Sequence, residues 1–511
     1  MPNPLFDRLL GRHAGRDAPF LRLPDGGTLG YDAFLARSAR MANALIEAGL
    51  APGDRLAAQV AKSPDALALY AACARTGVAF LPLNTAYTDE ELAYFAEDSG
   101  ARMVVCDPSR RDGAAAIAER LGAATRTLDA RGGGSLAEAA GRLPDAHAPV
   151  DRAEGDLAAI LYTSGTTGRS KGAMLTQGNL LSNALALSEL WRFTEADLLL
   201  HALPIFHTHG LFVATNVTLA AGGAMIFLPG FDAEEILRLM PEATAMMGVP
   251  TFYTRLLADA RLTRERAAGM RLFVSGSAPL LAETHAAFEE RTGHRILERY
   301  GMTETNMIAS NPYDGERRAG TVGLPLPGVE VVVADGGGAP LPAGETGIVE
   351  VRGPNVFAGY WRMPEKTAAE LRDTGFFVTG DMGRFDEDGY LTIVGREKDL
   401  IISGGYNVYP KEVESVLDEQ PGVAESAVVG VPHPDFGETP VALLVPEPGA
   451  APDLAAVEAE LRGRLARYKH PRRLIAVEEL PRNAMGKVQK NELRARYRDL
   501  FAPGDAAARS A

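Results

Sequence analysis

The run Leu161-Tyr-Thr-Ser-Gly-Thr-Thr-Gly-Arg-Ser-Lys-Gly172 concentrates glycines, hydroxyls and one lysine. Glycines let a backbone come close to a phosphate, hydroxyl and N–H groups donate hydrogen bonds to it, and Lys171 adds charge. It is not a Walker loop, because two residues separate Gly168 from Lys171 and no Gly-Lys-Ser/Thr follows. By composition alone a flexible surface loop is the other reading. Lysine is rare, eight residues among 52 basic ones, so a lysine inside such a loop stands out. Two further segments set titratable side chains among apolar ones. Leu203-Pro-Ile-Phe-His-Thr-His-Gly-Leu211 carries His207 and His209. In Gly248-Val-Pro-Thr-Phe-Tyr-Thr-Arg-Leu-Leu257, a helix from Thr251 would put Phe252, Arg255 and Leu256 on one face. A cation on that face either carries its charge out to solvent along its stem or clamps a carboxylate.

The elements that must position these groups alternate. Arg55 to Val60 reads as a strand, and Pro64 to Arg75 as a helix capped by Ser63. Val78 to Leu83 is strand-like, Thr88 and Glu91 form a capping box, and Arg102 to Cys106 is again strand-like. Residues 110–155 read as helix and connection. A second alternating block spans about 157–320. This order predicts an α/β fold with doubly wound, mixed sheets in a large domain, residues 1–397. A β-rich subdomain is expected at about 321–397. A small α+β domain follows over 398–503, with a helix at Pro410 to Leu417, strands at Ala424 to Val431 and Leu474 to Val477, and a helix near Leu454 to Tyr468. Residues 504–511 read as a frayed tail.

The chain has 511 residues, 46% hydrophobic and 23% charged, ordinary for a globular protein and long enough for a sizeable core. No stretch approaches the roughly 18 apolar residues that span a bilayer. A formal charge of −14 disfavours nucleic-acid binding. Cys73 and Cys106 share no metal-ligand spacing and read as buried thiols of a reducing compartment. The start lacks the apolar core of a signal peptide, so the cytoplasm is expected, with an organelle transit peptide as the alternative.

Six segments in order resemble the adenylate-forming superfamily of acyl-CoA synthetases, adenylation domains and luciferases. They are Thr163 to Lys171, Ser275 to Pro279, Glu298 to Glu304, Thr379 to Asp381, Gly395 to Asp399 and Pro481 to Lys487. Ser170 departs from the proline usual before the loop lysine. The resemblance implies ATP contacts from Thr163, Ser164, Gly165, Thr166, Thr167, Gly168, Lys171, Gly276, Ser277, Ala278, Glu298, Arg299, Tyr300, Gly301, Thr303, Asp381, Arg396 and Lys487. It implies Mg²⁺ at Glu304 and Thr163, and catalytic roles for Lys487, Thr303 and Glu304. It also implies a mobile C-terminal domain turning about Lys398, which would bring Ser403, Gly404 and Gly405 to the pantetheine arm of CoA.

Within the superfamily the text ALPIFHTHGLFVATNVTL, GVPTFYTRLL, VSGSAPL and ERYGMTETNM is similar to the malonyl-CoA synthetase branch. The implied substrate is malonate or a close dicarboxylic acid, with His207, Arg255, Ser277 and Met302 around it. A ligase for another short, aryl or longer acid, a luciferase-like oxygenase, and a protein loading a carrier thiol are the alternatives. Neither a membrane nor a nucleic-acid partner is expected, and oligomeric state is not legible.

Overall fold

A computed structural model describes residues 3–163, 170–403, 406–483 and 487–501. Two large sheets build the N-terminal part. The first has six strands, ordered Ala124–Thr127, Met103–Cys106, Arg55–Gln59, Ala79–Pro82, Leu157–Thr163 and Lys171–Thr176. Its first five strands run parallel, and the last pair is antiparallel. Residues 110–155 contribute more than helix and connection: Ala124–Thr127 adds an edge strand to this sheet. The segment is rich in Ala and Gly, and its burial is partial, so no hydrophobic alternation marks it.

The second sheet has nine strands, ordered Leu324–Pro325, Asn306–Ser310, Leu297–Met302, Leu272–Ser275, Ala245–Gly248, Leu198–His201, Ala224–Phe227, Pro19–Arg22 and Thr28–Gly30. Leu297–Met302 through Pro19–Arg22 are parallel. Thus the chain starts in the second sheet, builds the first, and returns. One continuous core joins both, with Phe20, Phe34, Trp191, Phe212, Phe273 and Phe288 each almost fully buried. Local chemistry sets the helix starts. Ser63 accepts from the Ala66 N–H, and Thr88 and Glu91 form the reciprocal capping box.

A four-stranded antiparallel sheet follows, Glu330–Ala334, Gly347–Arg352, Phe377–Phe385 and Leu391–Arg396. The C-terminal domain is a five-stranded sheet of Tyr406–Val408, Ile401–Ser403, Gly437–Pro446, Val423–His433 and Leu474–Ala476. Helices Pro410–Asp418 and Leu454–Arg464 cover one face, and Lys490–Arg496 covers the other. The strand Gly437–Pro446 was not anticipated. It opens on Gly-Glu-Thr-Pro, whose turn character masks the apolar Val441 to Val445 behind it. Among the described residues no helix is long and apolar enough to cross a membrane.

Candidate active site

In open parallel sheets, ligands collect beyond the carboxyl ends of the strands. Here four neighbouring strands end at His201, Gly248, Ser275 and Met302, and the residues singled out in the sequence follow directly. Thr303 and Glu304 lie in the turn between Leu297–Met302 and Asn306–Ser310. Gly301 cannot carry a side chain, since a Cβ would stand 2.0 Å from the Asn306 carbonyl oxygen.

A polar triad spans the strand Leu297–Met302 and the four-stranded sheet. Asp381 pairs in register with Arg396, and Arg396 Nε lies 2.6 Å from its carboxylate. The Tyr300 hydroxyl donates to Asp381. Burial and the adjacent carboxylate push the Tyr300 hydroxyl well above its ordinary pKa, so it remains a donor. Burial alone would lower the Arg396 pKa, but Asp381, Tyr300, Glu304 and Asp399 together outweigh it and the guanidinium is held more firmly charged. The triad offers a flat ring beside a carboxylate able to accept two hydroxyl protons, which suits a nucleoside.

Glu304 is 4% exposed, and burial raises its pKa. Tyr360 Oη lies 3.0 Å from Glu304 Oε1 and 2.6 Å from Glu370 Oε2. Thr163 Oγ1 is 3.5 Å from Glu304. Lys171 sits over the Tyr360 ring at 4.1 Å and 3.4 Å from Glu370. One carboxylate and one hydroxyl form a hard-oxygen donor set, which fits Mg²⁺ arriving with phosphates and water. Ser164, Gly165, Thr166, Thr167 and Gly168 lie outside the described residues.

The opposite wall is cationic and hydrogen-bonding. Ser277 holds a positive φ of 73°, a conformation uncommon without glycine, and its hydroxyl lies 3.3 Å from His209 Nδ1. Arg299 is 4% exposed; its Nε and Nη2 have no partner among the described residues, and burial pushes its pKa down to about 9. Gly276 makes room for it: a Cβ there would stand 2.4 Å from Arg299 Cζ. His207 Nε2 and His209 Nε2 are likewise unpartnered. Burial, then Lys487, lowers the His207 pKa to about 3; burial and Arg299 hold His209 well below its usual value. Both imidazoles are therefore neutral near pH 7.

Two expectations change. Arg255 is on the predicted helix face but is exposed, with its guanidinium 5.7 Å from the Phe231 ring. Phe252 and Leu256 are buried beside it, so the spacing gave the face and not the depth. Glu298 is directed to structural partners: its carboxylate lies 3.8 Å from His285 Nδ1 and accepts from the Gly320 N–H. Met302 packs partly buried against the main core, and Ala278 follows Ser277 in the loop after Leu272–Ser275.

Lys487 reaches this cleft from the C-terminal domain. Its backbone N–H donates to Asn483 Oδ1 at 3.0 Å. The residue is exposed, yet its ammonium lies among Arg396, Asp381, Arg299 and Glu304, where desolvation and then Arg396 hold its pKa below the ordinary lysine value. Lys398 lies in the short turn Glu397–Asp399, and burial lowers its pKa. Ser403 ends the strand Ile401–Ser403, while Gly404 and Gly405 lie outside the described residues.

Comparison with protein-family models matches "AMP-binding enzyme" over residues 6–361 and "AMP-binding enzyme C-terminal domain" over residues 412–487. The chain belongs to the AMP-binding enzyme family. It is 58% identical to MatB from Rhodopseudomonas palustris, covering 98% of this chain and 100% of that one. The TM-score is 0.96 against the ATP-bound crystal structure and 0.86 against the apo structure. A feruloyl-CoA synthase of Amycolatopsis is 38% identical over 92% of this chain and 95% of its own length. The malonate–CoA ligase of Arabidopsis thaliana is 38% identical over 82% of this chain and 74% of its own.

Within this AMP-binding enzyme, sequence reasoning missed Tyr360 and Glu370, which frame Glu304 and Lys171. Both stand in Gly359-Tyr-Trp-Arg-Met-Pro to Glu370, a stretch that reads only as a turn and a short helix. Arg299 was grouped with the nucleotide contacts. Strand alternation sends it to the face opposite Tyr300, toward Gly276 and His209.

Proposed function

We propose that this protein is a cytoplasmic, ATP-dependent malonate–CoA ligase that releases AMP and pyrophosphate. The observation that carries the acid is Arg299, a buried guanidinium whose Nε and Nη2 have no partner among the described residues, beside Ser277 and His209. Such a group calls for a carboxylate, because a buried charge without a partner is destabilising by about 3–5 kcal/mol. Malonate supplies a second carboxylate to meet it, whereas acetate or a fatty acid does not. The likeness to MatB and to plant and mouse mitochondrial malonate–CoA ligases supports the same reading. The acidic surface and two buried, free cysteines suit the cytoplasm.

In the first half-reaction one carboxylate oxygen of malonate attacks the α-phosphorus of ATP. The bond to the bridging oxygen breaks, and pyrophosphate leaves with that electron pair. Tyr300, Asp381 and Arg396 hold adenosine, and Lys487 brings positive charge to the approaching carboxylate and phosphate oxygens. Thr303 donates to the α-phosphate, and Lys171 with the glycine loop meets the outer phosphates. Mg²⁺, held by Glu304 with Thr163, offsets phosphate charge when bound. Rotation of the C-terminal domain about Lys398 then withdraws Lys487 and brings Ser403, Gly404 and Gly405 to the thiol arm. The CoA sulfur attacks the acyl carbon, and AMP leaves.

The test is thioester formation with ATP, Mg²⁺ and CoA across malonate, methylmalonate, succinate, acetate, octanoate, benzoate and ferulate, with AMP and pyrophosphate measured together. Malonate or methylmalonate should lead; turnover confined to monocarboxylates would reject the acid assignment. Lys487→Ala should slow pyrophosphate release by about 10²–10³-fold, the scale of removing one charge-stabilising donor.

A further inference from the structure

We propose that Lys62 is a positioning residue for the acid-binding wall, acting through the hydrogen bond it donates to His201. Lys62 follows the strand Arg55–Gln59 of the six-stranded sheet, while His201 ends the strand Leu198–His201 of the nine-stranded one. Lys62 Nζ lies 2.9 Å from His201 Nδ1, 2.8 Å from the His201 carbonyl oxygen, and 4.5 Å from the Phe227 ring centroid. No carboxylate pairs with it among the described residues. Burial lowers its pKa well below the ordinary lysine value, with no opposing acid. A desolvated lysine without a counter-ion is expensive to keep unless its hydrogen bonds do something specific.

His201 Nε2 lies 2.8 Å from the Gly210 carbonyl oxygen. That oxygen only accepts, so the ring proton sits on Nε2, and Nδ1 is left as an acceptor. Lys62 donates to that acceptor and so anchors the Nε2–H ring from its other side. Gly210 lies near the start of the π-helical segment His209–Thr215. The segment is tightly seated: a Cβ on Gly210 would stand 2.0 Å from the Pro204 oxygen, and Thr215 Oγ1 donates to the same Gly210 oxygen at 3.0 Å. π-Helical turns place side chains where a regular helix would not. Here the turn presents His209 to Ser277, directly after His207 and Thr208. His207 Nε2, Thr208 Oγ1 and His209 Nε2 are buried without partners among the described residues. The chain Lys62, His201, Gly210 therefore holds the backbone from which these three polar groups project, while among the described residues Lys62 hydrogen-bonds only to His201.

The test compares Lys62→Met, Lys62→Arg, His201→Gln and His201→Phe, with the acid that the wild type turns over best. A panel failure for malonate would thus reject the substrate reading without touching this one. Lys62→Met and His201→Phe should raise KM for the acid about tenfold and leave KM for ATP within twofold. Lys62→Arg and His201→Gln, which keep the donor and acceptor pattern, should stay within threefold of wild type. In ¹⁵N-histidine-labelled protein, the His201 Nδ1 resonance, which reports the hydrogen bond it accepts, should shift toward that of an unbonded imidazole nitrogen in Lys62→Met. An unchanged KM for the acid, equal rises in both KM values, or an unchanged His201 Nδ1 resonance in Lys62→Met would overturn the proposal. If Lys62→Met does not fold, the His201→Gln and His201→Phe pair decides: equal KM values for the acid would overturn it.

Discussion

Arg299 and Arg255 carry the same guanidinium at different depths, and depth decides which can discriminate between acids. Arg299 has been stripped of water and has free donors, whereas Arg255 keeps its solvent. Arg299→Met should therefore raise KM for malonate between about 10²- and 4 × 10³-fold, the equivalent of about 3–5 kcal/mol, with KM for ATP nearly unchanged. Arg255→Ala should alter either constant less than about threefold. Steady-state kinetics of both variants would settle the assignment, and a large effect confined to Arg255→Ala would move the clamp to that helix. One methyl group on the acid changes binding by only about 1–3 kcal/mol, so methylmalonate should remain a substrate of the wild type.

At the scale of elements, the site depends on turns that lock one side chain to another. Tyr360 is held against Glu304 and Glu370 by its hydroxyl, and Lys171 rests on its ring. Tyr360→Phe keeps the ring and removes the bridge. At about 1 kcal/mol per hydrogen bond, KM for Mg·ATP should rise about five- to tenfold while KM for malonate stays put. Equal changes in both would point to a general loosening of the turn. Features of this kind divide by how local their signals are. The Thr88 and Glu91 capping box, the Ser63 cap and the parallel alternation of the first sheet were all legible, because each depends on neighbours a few residues apart. The phosphate loop, Tyr300, Asp381, Arg396 and Lys487 were legible as motifs. Their convergence depends on pairings of high sequence separation, such as the Tyr300 hydroxyl with Asp381, which no local pattern encodes. The depth of Arg299 was invisible for the same reason: the glycine that admits it lies on a neighbouring strand's loop.

Proton balance belongs to the whole molecule. His207 is neutral in the folded cleft, with its pKa moved from 6.5 to about 3, first by burial and then by Lys487. In the unfolded chain it protonates below pH 6.5. The unfolded state then binds more protons, so this residue's contribution to stability is full above pH 6.5 and falls as pH drops toward 3. The slope is about 1 kcal/mol per pH unit between pH 6 and pH 4. Urea midpoints of wild type and His207→Gln should diverge accordingly, with the variant losing less stability from pH 7 to pH 5; parallel curves would mean that His207 is already charged when folded. Synthesis order raises a different matter. The strand Pro19–Arg22 pairs with Ala224–Phe227, with Leu21 opposite Met225. At roughly 5–20 residues per second on the ribosome, that partner emerges about 10–40 seconds later. Until then Phe20 and Leu21 ride on an open hairpin, and the nascent chain carries an adhesive edge for about two-fifths of its own translation.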